Sequence, residues 1–222
     1  MSKDQLVTVT MTDDGSPTLF SSAFDAHYHS THGALQESLH VFIKHGLEFC
    51  ISNGKTDLSI LEFGFGSGLN ALLTLKAASK LSLKIDYHGI EGYPVDLEQI
   101  NAFANNISDK ETLKALHQTM WETSVPMTPN FKLYKEKSLF EDFRTVRQFD
   151  LIYYDAFAPS CQPDLWDLPI LKKAYDALNT HGILVTFCAK GSFKRNLKCL
   201  GFEVERLPGP PGKREMTRAR KL

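Results

Sequence analysis

Three glycines occupy alternate positions directly after an apolar run, in the stretch LEFGFGSGLN that begins at Leu61. Because glycine has no side chain, a turn built from Gly64, Gly66 and Gly68 lets a ligand approach the backbone N–H groups closely. The dinucleotide fingerprint G-x-G-x-x-G/A needs a small sixth residue, where this chain has Leu69. A P-loop is also disfavoured, because no Gly-Lys-Ser/Thr follows. The turn therefore predicts a closely bound ligand other than a dinucleotide.

Three carboxylates fall where predicted strands end: Glu62, Glu91 and Asp155. In an open α/β sheet the ligand lies beyond the carboxyl ends of the strands. A carboxylate after the second strand suits both hydroxyls of a ribose, and Glu91 has that position. S-adenosylmethionine fits the set, because it joins a ribose and adenine to a sulfonium and an amino acid end that carries an ammonium. Glu62 and Asp155 are predicted to face the ammonium and sulfonium, with Asn70 as a further cofactor-binding candidate; the alternative is that the carboxylates only solubilise strand ends.

The elements that bring these residues together alternate along the chain from Asp57 onward. Apolar runs of strand length, each followed by helical periodicity, indicate a parallel sheet covered on both faces. The segment 138–146 is predicted to be a short helix. The last two strands, joined by a Pro/Gly linker at 208–212, have no helix between them and are predicted to pair antiparallel. We expect an α/β, Rossmann-like class I methyltransferase domain over residues 57–222, with a mostly parallel seven-stranded sheet and one antiparallel strand.

Residues 1–56 are predicted to be an N-terminal extension whose helix packs on, or caps, the cofactor site. Leu35 and Leu39 have helical spacing within it. Tyr28, Ser30 and Gln36 are candidates to contribute to the site; the alternative is a capped surface helix.

The extension also carries His27, His29 and His32, a spacing that a metal site can use. No carboxylate or cysteine completes the set. We therefore predict that the protein binds no metal.

Composition places the chain among ordinary globular proteins, with 42% hydrophobic and 23% charged residues in a length of 222. No apolar run reaches the roughly 18 residues that span a bilayer, and the opening MSKDQLVTVT lacks the apolar core of a signal peptide. The four cysteines form no CxxC pair, which predicts reduced thiols. We expect a cytoplasmic protein without a membrane segment.

Charge is unevenly distributed. From Lys190 to the end there are ten lysines and arginines against three acids, a balance of +7 in a chain whose net charge is −1, so the preceding residues carry −8. A basic end on a near-neutral protein is typical of a nucleic-acid-binding surface or of a solvated terminus.

The chain resembles the methyltransferase half of the MnmC family, the tRNA 5-methylaminomethyl-2-thiouridine biosynthesis proteins, in LEFGFGSGLNALLTL, YYDAFAPSCQPDLW and GILVTFCAKGSFKRNLKCLGFEVERLPGPPGKREM. The resemblance runs from about Asp25 to Arg218. Its most specific parts are Asp-x-Phe-Ala-Pro from Asp155, the Pro-Asp-x-Trp that begins at Pro163, and Gly-Lys-Arg-Glu-Met from Gly212.

This resemblance implies methyl transfer from S-adenosylmethionine to the aminomethyl nitrogen of 5-aminomethyl(-2-thio)uridine at the tRNA wobble position, giving the 5-methylaminomethyl nucleoside. Many family members carry a fused flavin-dependent oxidase. This sequence is expected to be the stand-alone methyltransferase without it, so that another enzyme supplies the aminomethyl intermediate. tRNA is the expected partner.

Within that function, Asp155 is predicted to orient the acceptor amine and receive its proton. Phe157 would wall the pocket and stack on the uracil ring. The family places an acidic residue after the third strand to bind adenine; here Lys137 stands at that position, so either Glu136 takes the role or the adenine is held differently. Candidates for tRNA phosphates are Lys190, Lys194, Arg195, Lys213 and Arg214.

Three alternatives share parts of this evidence. A methyl- or aminopropyltransferase on a small amine would use the same fold, cofactor turn and Asp155, but it does not explain the basic end. A non-catalytic protein that binds the cofactor is disfavoured by the intact turn and carboxylates. An NAD-dependent oxidoreductase is disfavoured by Leu69.

Overall fold

The computed structural model describes residues 7–222. The strands are β1 Val7–Met11, β2 Pro17–Ser21, β3 Ala26–His27, β4 Asp57–Phe63, β5 Lys84–Ile90, β6 Ser124–Thr128, β7 Phe131–Glu136, β8 Phe149–Tyr154, β9 Leu178–Thr186, β10 Phe202–Pro208 and β11 Glu215–Lys221. The α-helices are α1 Ala34–Ser38, α2 Glu48–Ser52, α3 Leu69–Leu81, α4 Leu97–Ala104, α5 Lys110–Gln118, α6 Leu168–Ala177 and α7 Gly191–Cys199. A π-helical stretch, Leu39–Leu47, joins α1 to α2, and a 3₁₀ turn, Pro163–Trp166, precedes α6.

The central sheet has eight strands in the order β10-β11-β9-β8-β4-β5-β7-β6. Strands β9, β8, β4, β5 and β7 are mutually parallel, whereas β11 runs antiparallel to both β9 and β10. The predicted α/β fold with a mostly parallel sheet and a reversed strand near its end is confirmed. An eighth strand, β6, adds to the predicted seven and pairs antiparallel with β7 at the sheet edge. Pro126 within it marks the edge position, since proline cannot donate to a second neighbour.

Burial of both faces explains the continuous apolar runs. In β8, Leu151 and Tyr153 point into one core cluster, and Ile152 and Tyr154 point into the other; all four are fully buried. Helices α3, α4 and α5 cover the first face, and α6 and α7 cover the second. The carboxyl ends of β4, β5 and β8 therefore meet at one edge of the sheet, as a parallel arrangement requires.

The N-terminal segment forms its own three-stranded sheet, β1-β2-β3, followed by the helical run of Ala34–Ser52. Its π-helical stretch packs on the first face of the central sheet, where the rings of Phe42 and Tyr153 lie 5.1 Å apart. The segment thus shares a hydrophobic core with the rest of the chain. A domain boundary at residue 56 stays a prediction, and residues 1–6 of the predicted extension lie outside the described residues.

The short helix predicted over residues 138–146 is wrong. The backbone there makes one turn, closed by hydrogen bonds from Asp142 and Phe143 N to Leu139 O at 3.0 Å each, and then continues irregularly. That one turn is enough to bury Phe140 and Phe143 against Phe63. The two phenylalanines therefore reach the same side of the chain from a single turn, without a helix.

Candidate active site

A cleft opens at the carboxyl ends of β4, β5 and β8, between the central sheet and the N-terminal segment. The glycine turn that follows β4 forms its floor. Gly64, Gly66 and Gly68 have φ angles of 95°, 49° and 73°, in the left-handed region that favours glycine. A Cβ on Gly64 would stand 2.5 Å from the carbonyl oxygen of Asp155. The ligand-binding turn predicted from the glycines is therefore closely packed, and its backbone faces the cleft.

Glu91, the carboxylate after β5, is fixed beside this turn by backbone donors. Its Oε2 accepts a hydrogen bond from Gly66 N at 2.9 Å, and its Oε1 accepts one from Tyr93 N at 2.8 Å. Burial raises the pKa of this carboxyl, against the backbone hydrogen bonds that lower it. A carboxylate accepts about four hydrogen bonds, so Glu91 keeps acceptor capacity at the position that the ribose assignment needs.

Asn70, in the first turn of α3, links the other two carboxylates. Its Nδ2 donates to Glu62 Oε1 at 2.9 Å and to Asp155 Oδ2 at 2.8 Å. Glu62 is fully buried, and burial raises its pKa well above the usual range. Glu62 Oε2 and Asn70 Oδ1 are buried acceptors that have no hydrogen bond of normal geometry in the described chain, although the buried Tyr87 hydroxyl lies near enough to Glu62 to lower the pKa of its carboxyl. Buried polar atoms normally have partners, so this pair of open acceptors fits the ammonium of the cofactor's amino acid end.

Asp155, directly after β8, lies at the same edge. Burial and the nearby charge of Glu37 raise its pKa to about 7, against the lowering effects of the Asn70 hydrogen bond and Lys213. At neutral pH the carboxyl thus exchanges a proton readily, which is the property that a group receiving a proton needs.

Aromatic rings close the cleft from above. Phe157, from the loop after β8, contacts Phe24 and Tyr28 of the N-terminal segment, with ring centroids 5.0 Å apart in each case. Phe24 also meets Tyr93 edge-on at 5.5 Å. The sequence predicted Phe157 as a wall and Tyr28 as a contributor. It missed Phe24 and Tyr93, whose only sequence signal is that they flank β3 and β5.

Two other candidates of the extension, Ser30 and Gln36, lie beside these aromatic rings. Ser30 N donates to Glu37 Oε2 at 2.8 Å, and Gln36 N donates to Asp14 Oδ2 at 3.2 Å. These contacts shape the loop before α1, and neither residue borders the cleft.

The structure does not bring Glu136 into the cleft. Its side chain lies on the face of β7 that packs on His88, and its Oε2 is 2.9 Å from His88 Nε2. The adjacent Lys137 uses its backbone N–H to bond Glu122 Oε1. Leu139 and Glu141 border the cleft on this side instead. Of the two alternatives that the sequence left open, the structure therefore favours an adenine held by residues other than Glu136.

Beside the cleft, a shallow depression lies between Pro159, Phe187 and the loop that joins β10 to β11. Lys213 lies there with its Nζ 3.9 Å from the Phe187 ring centroid and paired with Glu37. Lys190 and Arg214 border the same depression and are exposed. This depression is called the acceptor-side surface below.

The predicted phosphate-binding cations differ in availability. Lys194 is buried, and its Nζ pairs with Glu215 at 2.8 Å, so a phosphate contact would require this pair to open. Within residues 7–222, Lys190, Arg195 and Arg214 are exposed and have no acidic partner within ion-pair distance.

The histidines of the extension have other partners. His29 Nδ1 lies 3.1 Å from Thr18 Oγ1, and its Nε2 lies 3.2 Å from Ser67 Oγ. His32 Nδ1 pairs with Asp13 at 3.0 Å. Over residues 7–222, no group of three His, Cys, Asp or Glu side chains has a metal-binding arrangement. The helices of this same range are each too short or too polar to cross a bilayer.

The chain is similar to known methyltransferases and to proteins of tRNA modification. Residues 132–222 match a family of S-adenosyl-L-methionine-dependent methyltransferases. The chain is 30% identical, over 96% of its length, to the tRNA 5-methylaminomethyl-2-thiouridine biosynthesis bifunctional protein MnmC of Aromatoleum aromaticum, and covers 35% of that protein. It is 32% identical, over 96% of its length, to the protein of the same name from Ralstonia nicotianae, and covers 34% of it. The chain therefore spans about a third of the length of these curated relatives.

Solved structures agree on the fold. MNMC2 from Aquifex aeolicus superposes with a TM-score of 0.81 at 22% identity, covering 98% of this chain and 71% of that one. Spermidine synthase from Thermotoga maritima superposes with a TM-score of 0.58 at 15% identity, covering 100% and 71%. The predicted resemblance and fold are confirmed. The family match over residues 132–222 supports the predicted enzyme class and S-adenosylmethionine as the cofactor.

Proposed function

We propose that this S-adenosylmethionine-dependent methyltransferase, similar along nearly its whole length to one third of the MnmC proteins, methylates the aminomethyl nitrogen of 5-aminomethyl(-2-thio)uridine at the tRNA wobble position. The observation that carries the proposal is the Asn70 bridge between Glu62 and Asp155. It joins Asp155, which borders the cleft, to Glu62, which is buried behind Asn70 at the edge of the glycine turn.

Three groups of this chain would hold the cofactor. Glu62 Oε2 and Asn70 Oδ1 offer open acceptors to an ammonium, and Glu91 offers acceptors to ribose hydroxyls. The glycine turn keeps Cβ atoms out of the space between them. When bound there, S-adenosylmethionine supplies an activated methyl group that a neutral amine can accept.

Asp155 would prepare the acceptor. An alkylamine with a pKa near ~10.4 is mostly protonated at pH 7, and making it neutral costs roughly 4–5 kcal/mol. A carboxylate beside the nitrogen can orient the N–H bonds and take the proton, and the Asp155 pKa of about 7 suits that exchange. Phe157 and the rings around it would exclude water from the amine and offer a face to the uracil ring.

The acceptor-side surface supports a tRNA substrate. Lys190 and Arg214 border it as exposed cations, and Arg195 lies exposed on the first turns of α7. Contacts of this kind bind phosphates and position a nucleic acid without reading its sequence. A small amine, the alternative substrate, would leave these cations without a role. The aminomethyl group itself must come from a separate reaction, which we assign to another enzyme.

The proposal is tested by incubating the protein with S-adenosylmethionine labelled in the methyl group and tRNA that carries 5-aminomethyluridine. Label in the tRNA, recovered as 5-methylaminomethyluridine after digestion, is the expected result. Parallel reactions contain unmodified tRNA or spermidine. Transfer to spermidine with none to the modified tRNA would replace the proposal by the small-amine alternative.

A further inference from the structure

A lysine without contact to the cleft is buried behind the glycine turn. Lys135, on β7, is fully buried, and its Nζ donates a hydrogen bond to the carbonyl oxygen of His117 at 2.7 Å. Its ammonium also lies 4.7 Å from the Trp121 ring centroid. Burial of an ammonium is costly, and burial lowers the Lys135 pKa to about 8. Since an apolar side chain could be buried here at lower cost, we expect the Lys135 ammonium to have a specific function.

The acceptor of this hydrogen bond is at the end of a helix. His117 is the second-last residue of α5, where backbone carbonyls have no partner within the helix. A cation at that end is favoured by the free carbonyls and by the helix dipole. Lys135 thereby fixes the last turn of α5, and with it the position of the His117 side chain.

His117 reaches from there into the cofactor turn. Its Nε2 lies 2.9 Å from the carbonyl oxygen of Ser67, which can only accept, so Nε2 carries the proton. Burial lowers the His117 pKa to about 4, and the ring is therefore a neutral donor at physiological pH. The ring also fills the space above Gly68, where a Cβ would stand 2.8 Å from Nε2. The ring centroids of His117 and Phe65 lie 5.2 Å apart.

The same turn is held from the opposite side by the N-terminal segment. Ser67 Oγ lies 3.2 Å from His29 Nε2, while His29 Nδ1 lies 3.1 Å from Thr18 Oγ1 on β2. The backbone and the side chain of Ser67 are thus each fixed by a histidine: buried His117 from α5 and half-buried His29 from the extension. A turn rich in glycine has high conformational freedom, so such external contacts decide which way its N–H groups point.

We propose that Lys135 and His117 are positioning residues for the cofactor: Lys135 fixes the end of α5, and His117 fixes the Ser67 carbonyl and thereby the orientation of the glycine turn. The inference rests on the cofactor-binding role of that turn in the proposed function. It adds two residues that lie behind the turn and touch neither the methyl group nor the acceptor.

Two matched pairs of variants test it. His117→Phe keeps the ring and loses the donor, whereas His117→Gln places an amide N–H near the position of Nε2. Lys135→Met keeps the length of the buried chain and loses the ammonium, whereas Lys132→Met removes an exposed lysine from the same strand. Calorimetric titration with S-adenosylhomocysteine measures affinity, and hydrogen exchange of the peptide over residues 61–72 in ligand-free protein measures order in the turn.

We expect His117→Phe and Lys135→Met each to weaken binding about tenfold, the equivalent of one lost hydrogen bond, and to accelerate exchange in the turn. His117→Gln and Lys132→Met should stay within about threefold of the parent. In turnover, KM for S-adenosylmethionine should rise while kcat changes little. Unchanged affinity and exchange in both His117→Phe and Lys135→Met would overturn the inference. If the variants show these effects but the parent, which binds the cofactor, does not methylate modified tRNA, the proposed substrate would be overturned and this inference would stand.

Discussion

The ring of Tyr28 lies across Gly66, so close that a Cβ at residue 66 would stand 3.1 Å from its Cδ1 atom. Tyr28 belongs to the N-terminal segment and Gly66 to the turn after β4, so the first part of the chain covers the centre of the cofactor cradle. The φ angle of 49° at Gly66 adds a second constraint against any side chain there.

Replacement of Gly66 by valine should abolish cofactor binding while leaving the protein folded. The side chain would enter the cleft and collide with Tyr28, and a β-branched residue is strained at this φ angle. Calorimetry with S-adenosylmethionine, beside a thermal unfolding curve, provides the measurement. A suitable control is Gly54→Val, at a positive φ angle in a surface turn with open space around it. An affinity for S-adenosylmethionine equal to that of the parent would show that the cofactor does not approach this glycine.

Binding of the cofactor should release a proton from Glu62. Burial raises the pKa of this carboxyl in the ligand-free protein, and an arriving ammonium favours the carboxylate. The heat of binding at pH 7 should therefore vary with the ionisation enthalpy of the buffer. Glu62→Gln should reduce this dependence to the part contributed by Asp155 and bind roughly 10–100-fold more weakly, because a hydrogen bond to a charged group is lost. A buffer-independent heat in the parent would contradict the assignment of Glu62 to the ammonium.

Asp155→Asn should keep cofactor affinity within about tenfold and lose turnover by about 100-fold or more. It should also change the pH dependence of stability. Because the folded-state pKa is raised from 3.8 to about 7, the folded parent binds more protons than the unfolded chain between these values. The parent therefore loses stability as pH rises through that window. The asparagine variant should not show this loss.

Urea unfolding from pH 4 to pH 8 measures this effect. The variant should match the parent near pH 4 and exceed it by roughly 2 kcal/mol at pH 8, less than the full shift corresponds to, since Asp155 is partly exposed to solvent. A difference that does not vary with pH, together with near-normal turnover, would place the proton transfer on solvent.

Charge reversal of the exposed cations should separate tRNA from a small amine. Lys190, Arg195 and Arg214 changed together to glutamate should raise the tRNA Michaelis constant strongly and leave cofactor affinity unchanged. Each lost phosphate contact should also lower the slope of log affinity against log salt by roughly 0.7–0.9. The matched control reverses three exposed lysines elsewhere in the chain, Lys80, Lys110 and Lys132. Equal effects of the two triple variants would mean that net charge, rather than the acceptor-side surface, governs binding.

Sequence patterns located the site residues that end strands. Glu62, Glu91 and Asp155 follow apolar runs, and a parallel sheet must bring such ends together, so their meeting at one edge could be anticipated. Lys194 was misjudged as a surface cation although a signal was present. It stands one residue after Phe193 and three before Leu197, at the border of the buried stripe of α7.

Residues behind the turn were harder to find. Alternation along β7 places Lys135 inward with Phe131 and Leu133, but nothing local indicates that its ammonium meets the end of α5. The contacts of His117 with Ser67, and of Tyr28 with Gly66, join segments about 50 and 40 residues apart, and depend on how the helices and the extension pack. Side-chain pairs of this kind have no sequence period to reveal them.

The position of β11 constrains the order in which the chain assembles. This strand lies between β9 and β10, although β10 precedes it, so β10 has no neighbour in the sheet until β11 has formed. The two strands pair over seven residues through a short loop, a local contact that closes quickly. We infer that the hairpin forms as a unit and then docks on β9 through β11. Lys213 and Arg214 lie in the loop of this hairpin, so the acceptor side of the cleft is completed when the hairpin docks. The glycine turn after β4 does not depend on that step and can form earlier.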